Sequence, residues 1–310
     1  MKNLYQSFGI GFALLVEIAI FSALSPHFFT TDNLLNVMLQ ISITAIVAVG
    51  MTFVILTAGI DLSVGSLMAF VGVVATSMLK LDLRLEYAFP LAMLAGLLLG
   101  AASGLIAGTL VTRFRITPFI VTLALMTIWR GLAFVYTEGR PVWELPEAFA
   151  LLGNGRTLGI PNPTIVMIVV FVTAYVVLSH TRFGRYIYAI GGNPEAARLA
   201  GIGVKRIVTQ VYVVCGVLSA ASGILLASRM NSGQPNAGIM YELDVIAAVV
   251  VGGTSLFGGR GTVTGTFLGS LLIGVLRNGL NLLNVGSYVQ QVVVGVVILL
   301  AVLLDQWKKR

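Results

Sequence analysis

Six polar residues stand where an apolar chain has least reason to keep them. Asp61 and Ser63 lie in GIDLSVGS between two apolar runs, and Arg277, Asn278, Asn281 and Asn284 interrupt a third. Buried polar groups need partners, and an ionisable group inside a membrane marks a functional candidate. Arg277, Asn281 and Asn284 follow i, i+4, i+7 spacing, which predicts one shared helix face. Gln290 and Gln291 follow shortly after. Neutral amides can bond a polar solute or a neighbouring helix, so a pore wall and interhelical bonding both fit. Asp61, read close to the end of a span, fits a helix cap, a pore gate or a proton-coupling site. Asp244, beside Glu242, reads as a cap near the opposite face.

A second cluster is mechanical rather than chemical. Residues 181–206 form a basic loop with Arg182, Arg185, Arg198, Lys205 and Arg206 against one acid, Glu195. Gly191 and Gly192 break the chain. Asn193 is a good N-cap, Pro194 fits the first helical position, and Glu195 favours the positive end of the helix dipole. Ala196, Ala197, Arg198, Leu199 and Ala200 continue the helix, and Gly201 and Gly203 stop it. Two turns are too few to stand alone. The helix must rest on something, either the membrane surface or a cleft on a cytoplasmic motor.

Other chemistries find no residues. Cys215 is the single cysteine and sits in an apolar run; His27 and His180 stand alone, so no metal site is expected. The net charge of +7 comes from loops beside apolar runs, not from a polar domain that presents a basic face to nucleic acid. No G-x-x-x-x-G-K-[ST] phosphate loop is present, so ATP hydrolysis by that route is not expected of this chain.

The elements that position these residues are membrane spans. The 310 residues are 57% hydrophobic and 10% charged, against roughly 25% charged in soluble domains. With about 20 apolar residues per span, the chain reads as one all-α, polytopic membrane bundle over 1–310. Ten helices are expected at 8–25, 39–57, 61–79, 89–111, 117–136, 164–180, 207–229, 243–256, 262–283 and 287–304. The first is read as an uncleaved helix rather than a signal peptide. Spans 61–79 and 243–256 are candidates for broken or re-entrant elements, tolerated only inside protein. With the N-terminus in the cytoplasm, inner loops hold Lys2, Arg113, Arg115, the five of the middle loop, Arg260, Lys308, Lys309 and Arg310. Outer loops hold only Lys80, Arg84, Arg140 and Arg156. This bias places both termini and the middle loop inside. Gly96, Gly100, Gly104 and Gly108 share a face, and Gly261, Gly265 and Gly269 repeat the spacing; close helix packing and a subunit interface both fit. Asp61 and Asp244 each open an apolar stretch followed by spaced glycines, a weak internal echo.

The segment GGNPEAARLAGIGVKRI at 191–207 resembles the cytoplasmic loop of sugar-importing ABC transporter permeases, the class with ribose, xylose, arabinose and autoinducer-2 permeases. VGMTFVILTAGIDLSVGSLMA at 49–69, RGLAFVYTEGRPV at 130–142, YELDVIAAVVVGGTSLFGGRGTVTGTFLG at 241–269 and GLNLLNV at 279–285 are similar too. Ribose permeases look nearest. The resemblance implies a non-enzymatic permease in the plasma (inner) membrane, with a second copy of itself as partner. It also implies a cytoplasmic ABC ATPase, often a fused double one, that binds ATP and Mg, and an external sugar-binding protein. No cofactor is expected in this chain. The resemblance assigns ATPase coupling to Asn193, Pro194, Glu195, Ala196, Ala197, Arg198, Leu199 and Ala200. Lys80, Arg84, Arg140 and Arg156 are candidates for docking the binding protein. The competing readings are a related ABC permease for xylose, autoinducer-2, nucleosides or branched-chain amino acids, and an ion-coupled secondary transporter.

Overall fold

Each apolar run folds into helix, and the short polar stretches become turns. The computed structural model describes residues 2–82 and 84–307, with side chains over 9–82, 84–300 and at Leu303. Three residues of the charge count, Lys308, Lys309 and Arg310, and the Lys2 side chain lie outside the described residues. In chain order the helices are α1 (Lys2–Leu24), α2 (Thr31–Leu56), α3 (Val64–Met78), α4 (Leu85–Arg113), α5 (Pro118–Thr137) and α6 (Glu147–Asn154). A two-residue-per-strand hairpin follows, β1 (Arg156–Thr157) and β2 (Ile160–Pro161). Then come α7 (Asn162–His180), α8 (Arg182–Gly192), α9 (Pro194–Leu199), α10 (Val204–Met230), α11 (Tyr241–Val251), α12 (Val263–Leu282) and α13 (Ser287–Trp307). Among the described residues six of them, α2, α4, α5, α7, α10 and α12, are long and apolar enough to cross a membrane. The fold is an all-α polytopic membrane bundle, and each expected span coincides with one helix.

Helix α10 is the central post, packed on α2, α3 and α4. The glycine stripe explains the closest of these contacts. A Cβ at Gly100 would strike the Gly216 carbonyl, and one at Gly104 the Tyr212 carbonyl. Small residues let two backbones meet where lipid gives no hydrophobic drive. The stripe is therefore spent on packing within the chain, which corrects the subunit-interface alternative. In the second run, Gly265 and Gly269 press on the Gly252 and Ala248 backbones, while Gly261 precedes α12. Polar ties cross the bundle between hydroxyls: Thr52 and Thr266 lie 2.7 Å apart, and Ser42 and Thr164 3.2 Å.

The two doubtful spans are half-helices. At 1.5 Å per residue, α3 is about 22 Å long and α11 about 16 Å, both short of the ~30 Å hydrocarbon core. Coil completes each crossing. Residues 57–63 turn back into the bundle before α3, and 231–240 run down beside α3 before α11. The contacts set the directions. Met68 meets Gly223 and Gly72 meets Ala227, so α3 runs parallel to α10. Gly233 meets Val73 and Thr76, and Gly238 meets Gly65, so the 231–240 coil runs the opposite way. The two half-helices thus start back to back inside the bundle and leave toward opposite faces. Only glycine fits this meeting point. Gly238 has φ +67°, and a Cβ at Gly65 would collide with its carbonyl.

Two faces result. Arg113, Arg115, the α8–α9 loop and Arg260 gather at one end, called here the loop face. Lys80, Arg84, Arg140 and Arg156 lie exposed at the far face. The charges segregate as the loop count expects.

Candidate functional site

The basic loop holds two helices, not one. Gly191 and Gly192 close α8, and the break comes at Asn193. The α8 signal was present as Phe183, Ile187 and Ile190 at i, i+4, i+7; Ile187 and Ile190 are buried. Helix α9 then starts on its cap. The Asn193 side-chain oxygen accepts from the Glu195 and Ala196 amides, each at 3.0 Å. Arg198 donates to the Glu195 carboxylate at 2.5 Å, and this holds the Glu195 carboxyl below its usual range. Ala197 is the one buried residue of α9, and Leu199 is 76% exposed. Ala200 serves as the C-cap and Gly201 turns away at φ +81°. The helix stands proud of the loop face on a single buried foot, with an apolar side chain at its tip.

Helix α8 ties α9 to the bundle. Tyr188 donates through its hydroxyl to the Gly261 carbonyl at 2.8 Å. Burial pushes the Tyr188 hydroxyl's pKa up, so it remains a donor. Gly191 packs on the Leu56 carbonyl and on Gly259, and the Gly259 amide donates to that same carbonyl at 2.9 Å. One knot therefore joins α8, the end of α2 and the 252–262 loop that follows α11. Tyr188 was passed over in the sequence, where nothing links it to a glycine 73 positions away.

Asp61 lies deeper than the sequence reading put it. The Tyr212 hydroxyl donates to the Ile60 carbonyl at 3.3 Å. Tyr212 is about 12 Å along α10, and Gly223, opposite Met68, about 28 Å along a helix of about 40 Å. Asp61 is buried between these levels, in the middle of the bundle. It does not cap α3 as expected. Its Oδ1 accepts from the Ser63 amide and hydroxyl at 2.9 and 2.6 Å, which closes the turn ahead of the helix. The interface position assigned to it assumed that α2 runs straight into α3, and the 57–63 turn removes that assumption.

Asp244 is likewise neither at the far face nor a cap. It sits in the first turn of α11, and Arg277 donates to its Oδ1 at 2.5 Å. Arg277, Asp244 and Asn281 line a cavity of about 260 Å³ together with Gln40, Thr44 and Tyr241. The other two polar residues of that cluster turn elsewhere. Asn278 forms a reciprocal amide pair with Asn33 at 2.9 and 3.0 Å, an interhelical tie. Asn284 falls beyond α12 at φ +57°, where it ends the helix instead of continuing its face. Arg130 on α5, unassigned from sequence, donates to the Pro235 and Ala237 carbonyls at 2.7 Å and holds the 231–240 coil. Glu17 in α1 also escaped notice; its Oε2 is buried without a hydrogen-bond partner.

At the far face, Lys80 pairs with Glu144 and Arg84 with Glu86, each at 3.5 Å. Exposed pairs of this length contribute little to stability, so these charges remain available to a partner.

The chain matches known proteins along nearly its whole length. A family model described as branched-chain amino acid transport system / permease component matches residues 33–302. The ribose import permease protein RbsC of Escherichia coli (strain K12) is 52% identical over 96% of this chain and 92% of its own. RbsC of Bacillus subtilis (strain 168) is 48% identical over 98% and 94%. The D-allose transport system permease protein AlsC of Escherichia coli (strain K12) is 38% identical over 97% and 92%. No solved structure matches the chain. With apolar helices throughout and a match that runs from the second helix into the last, the chain belongs to this family of membrane permeases, components of transport systems and not enzymes.

Proposed function

We propose that the chain is the membrane-spanning subunit of a binding-protein-dependent ABC importer in the plasma (inner) membrane, and that it carries a monosaccharide, ribose first. The observation that carries this reading is the identity of about half, nearly end to end, to ribose import permeases of distant bacteria. Permeases named for allose and arabinose stand further off, at 38% and 41%. They define the alternative cargo.

In this reading the loop face is cytoplasmic, and both ends of the chain lie on that side. Helix α9, with Asn193 through Ala200, seats in a cleft of a partner ATPase, which binds ATP and Mg; this chain holds no cofactor. A second copy completes the pore. An external sugar-binding protein docks on the far face near Lys80, Arg84, Arg140 and Arg156. The mechanics follow from the contacts. Displacing α9 moves α8, and the knot at Tyr188, Gly191, Leu56 and Gly259 passes the motion to both half-helices. Those are the parts of the bundle with coil at one end, and hence the parts free to shift. Asp61 and Ser63, at the root of α3, act as the hinge side of the gate.

The test is reconstitution of the chain in proteoliposomes with its co-encoded ATPase and binding protein. ATP-dependent uptake of labelled D-ribose above D-allose, L-arabinose and L-leucine is expected. Uptake driven by a proton or sodium gradient without ATP would overturn the class, and preference for another cargo would overturn the sugar.

A further inference from the structure

We infer that the cavity at the root of half-helix α11 is a transient binding site for a neutral polyhydroxylated ligand, a station for the sugar inside the permease. The inference deepens the sugar-permease reading and rests on it for direction of travel, but not for the chemistry of the site.

Its walls come from five helices. Gln40 and Thr44 face it from α2, Arg229 from the end of α10, Tyr241 and Asp244 from α11, and Arg277 and Asn281 from α12; Gln290 adds an amide from α13. Its volume of about 260 Å³ lies just under the ~300–1,000 Å³ of pockets that hold drug-sized ligands. That size suits a single small sugar. Ala248, Ser270 and Gly274 line it on the side toward the loop face.

The lining chemistry narrows the ligand. Donors and acceptors share one space: two guanidinium groups, one carboxylate, three amides, the Thr44 and Ser270 hydroxyls and a tyrosine ring. Vicinal hydroxyls, each both donor and acceptor, can satisfy such a mixture. A cation would meet Arg229 and Arg277. An aliphatic side chain would strip water from the amides and leave them unpaired, at a cost in affinity. One part of the wall is an ion pair, in which Arg277 donates through Nη2 to Asp244. Asn281 and Gln290 are already joined, with the Gln290 amide donating to Asn281 Oδ1 at 2.7 Å, so the wall is ordered before a ligand arrives. Few binding groups need reorganise, and weak, reversible binding is what a transit station requires.

The test is saturation-transfer NMR on the full chain in lipid nanodiscs, with D-ribose, ribitol and L-leucine as probes. Saturable transfer to D-ribose and ribitol at millimolar concentration is expected, and none to L-leucine. Gln40→Leu keeps the side-chain volume and should weaken sugar binding about fivefold; Asp244→Asn should weaken it about tenfold or more. Both variants are checked for wild-type melting in the nanodisc, and Gln40→Leu alone decides if Asp244→Asn does not fold. Absence of sugar transfer in the wild type overturns the proposal, as do unchanged binding in Gln40→Leu and transfer to leucine alone. ATP-driven ribose uptake without chamber binding removes this inference and leaves the permease reading intact. Chamber binding without uptake does the reverse.

Discussion

Replacing Asn193 with alanine should uncouple this permease without harming its membrane core. The side chain accepts from two amides, those of Glu195 and Ala196, and nothing else in α9 closes that end. Loss of such a cap costs about 1 kcal/mol, within a range of roughly 0.5–2. Six residues cannot offset the cost of helix nucleation alone, and only Ala197 is buried beneath them. The folded population of α9 is therefore near balance. At 1.4 kcal/mol per factor of ten, 1 kcal/mol shifts it about fivefold. Ribose uptake per ATP hydrolysed, measured in proteoliposomes with the partner ATPase, should fall about three- to fivefold. Insertion and melting of the bundle should not change, because the Asn193 side chain bonds to the Glu195 and Ala196 amides of α9 itself. Asn193→Asp keeps the oxygen acceptor at the helix dipole's positive end and should restore coupling. Normal transport by Asn193→Ala would refute the reasoning. So would failure of Asn193→Asp to rescue, since the amide and not the cap would then matter.

The Glu195–Arg198 pair makes α9 sensitive to acid, with a definite sign. The folded carboxyl is held below its usual value of about 4.3, so its contribution is complete above that value and lost as pH falls through the depressed one. Hydrogen exchange of the 196–200 amides should be flat from pH 7 to 5 after correction for intrinsic rates and rise only below; Glu195→Gln should abolish the step, and a step near neutrality would contradict the pairing. In the bundle, Gly104→Ala forces a methyl onto the Tyr212 backbone, which has no freedom to yield. It should cost about 1–3 kcal/mol and lower the melting point in detergent, whereas Gly131→Ala, with nothing within 4 Å, should not. Equal melting of the two variants would sink the α4–α10 account.

Local features were legible because their causes are local. The α9 cap needs only Asn193, Pro194 and Glu195 in order, and the ten helices need only runs of apolar residues. The α4 stripe announced close packing but not its partner. Four-residue spacing describes one face, whereas the opposing Gly216 and Tyr212 lie more than a hundred positions away. Arg277 and Asn281 were found by spacing alone and do line a cavity. Asn284 shared the spacing but not the helix, since α12 ends first.

What hid the centre of the molecule was the assumption that an apolar run is one straight crossing. Residues 61–79 have the length and hydropathy of a span, and composition carries no direction. The turn at 57–63 is held by three bonds beyond its own backbone: Tyr212 on the Ile60 carbonyl, Gly259 on the Leu56 carbonyl just ahead of it, and Asp61 on Ser63. Two of these three partners are remote, so no local pattern can reveal them. The error had a consequence. Positions at span ends, as the sequence reading has them for Asp61 and Asp244, argue against ion coupling, which needs an ionisable group at depth. Both carboxylates are in fact deep, and that argument falls. The class rests instead on the family match, and the depth acquires another meaning. Asp61 closes the turn at the root of α3 while Asp244 holds Arg277 at the root of α11. A half-helix that begins inside a bundle presents unpaired backbone amides there; Asp61 accepts from one backbone amide, that of Ser63, just ahead of α3, whereas Asp244 fixes α11 to α12 through the Arg277 ion pair.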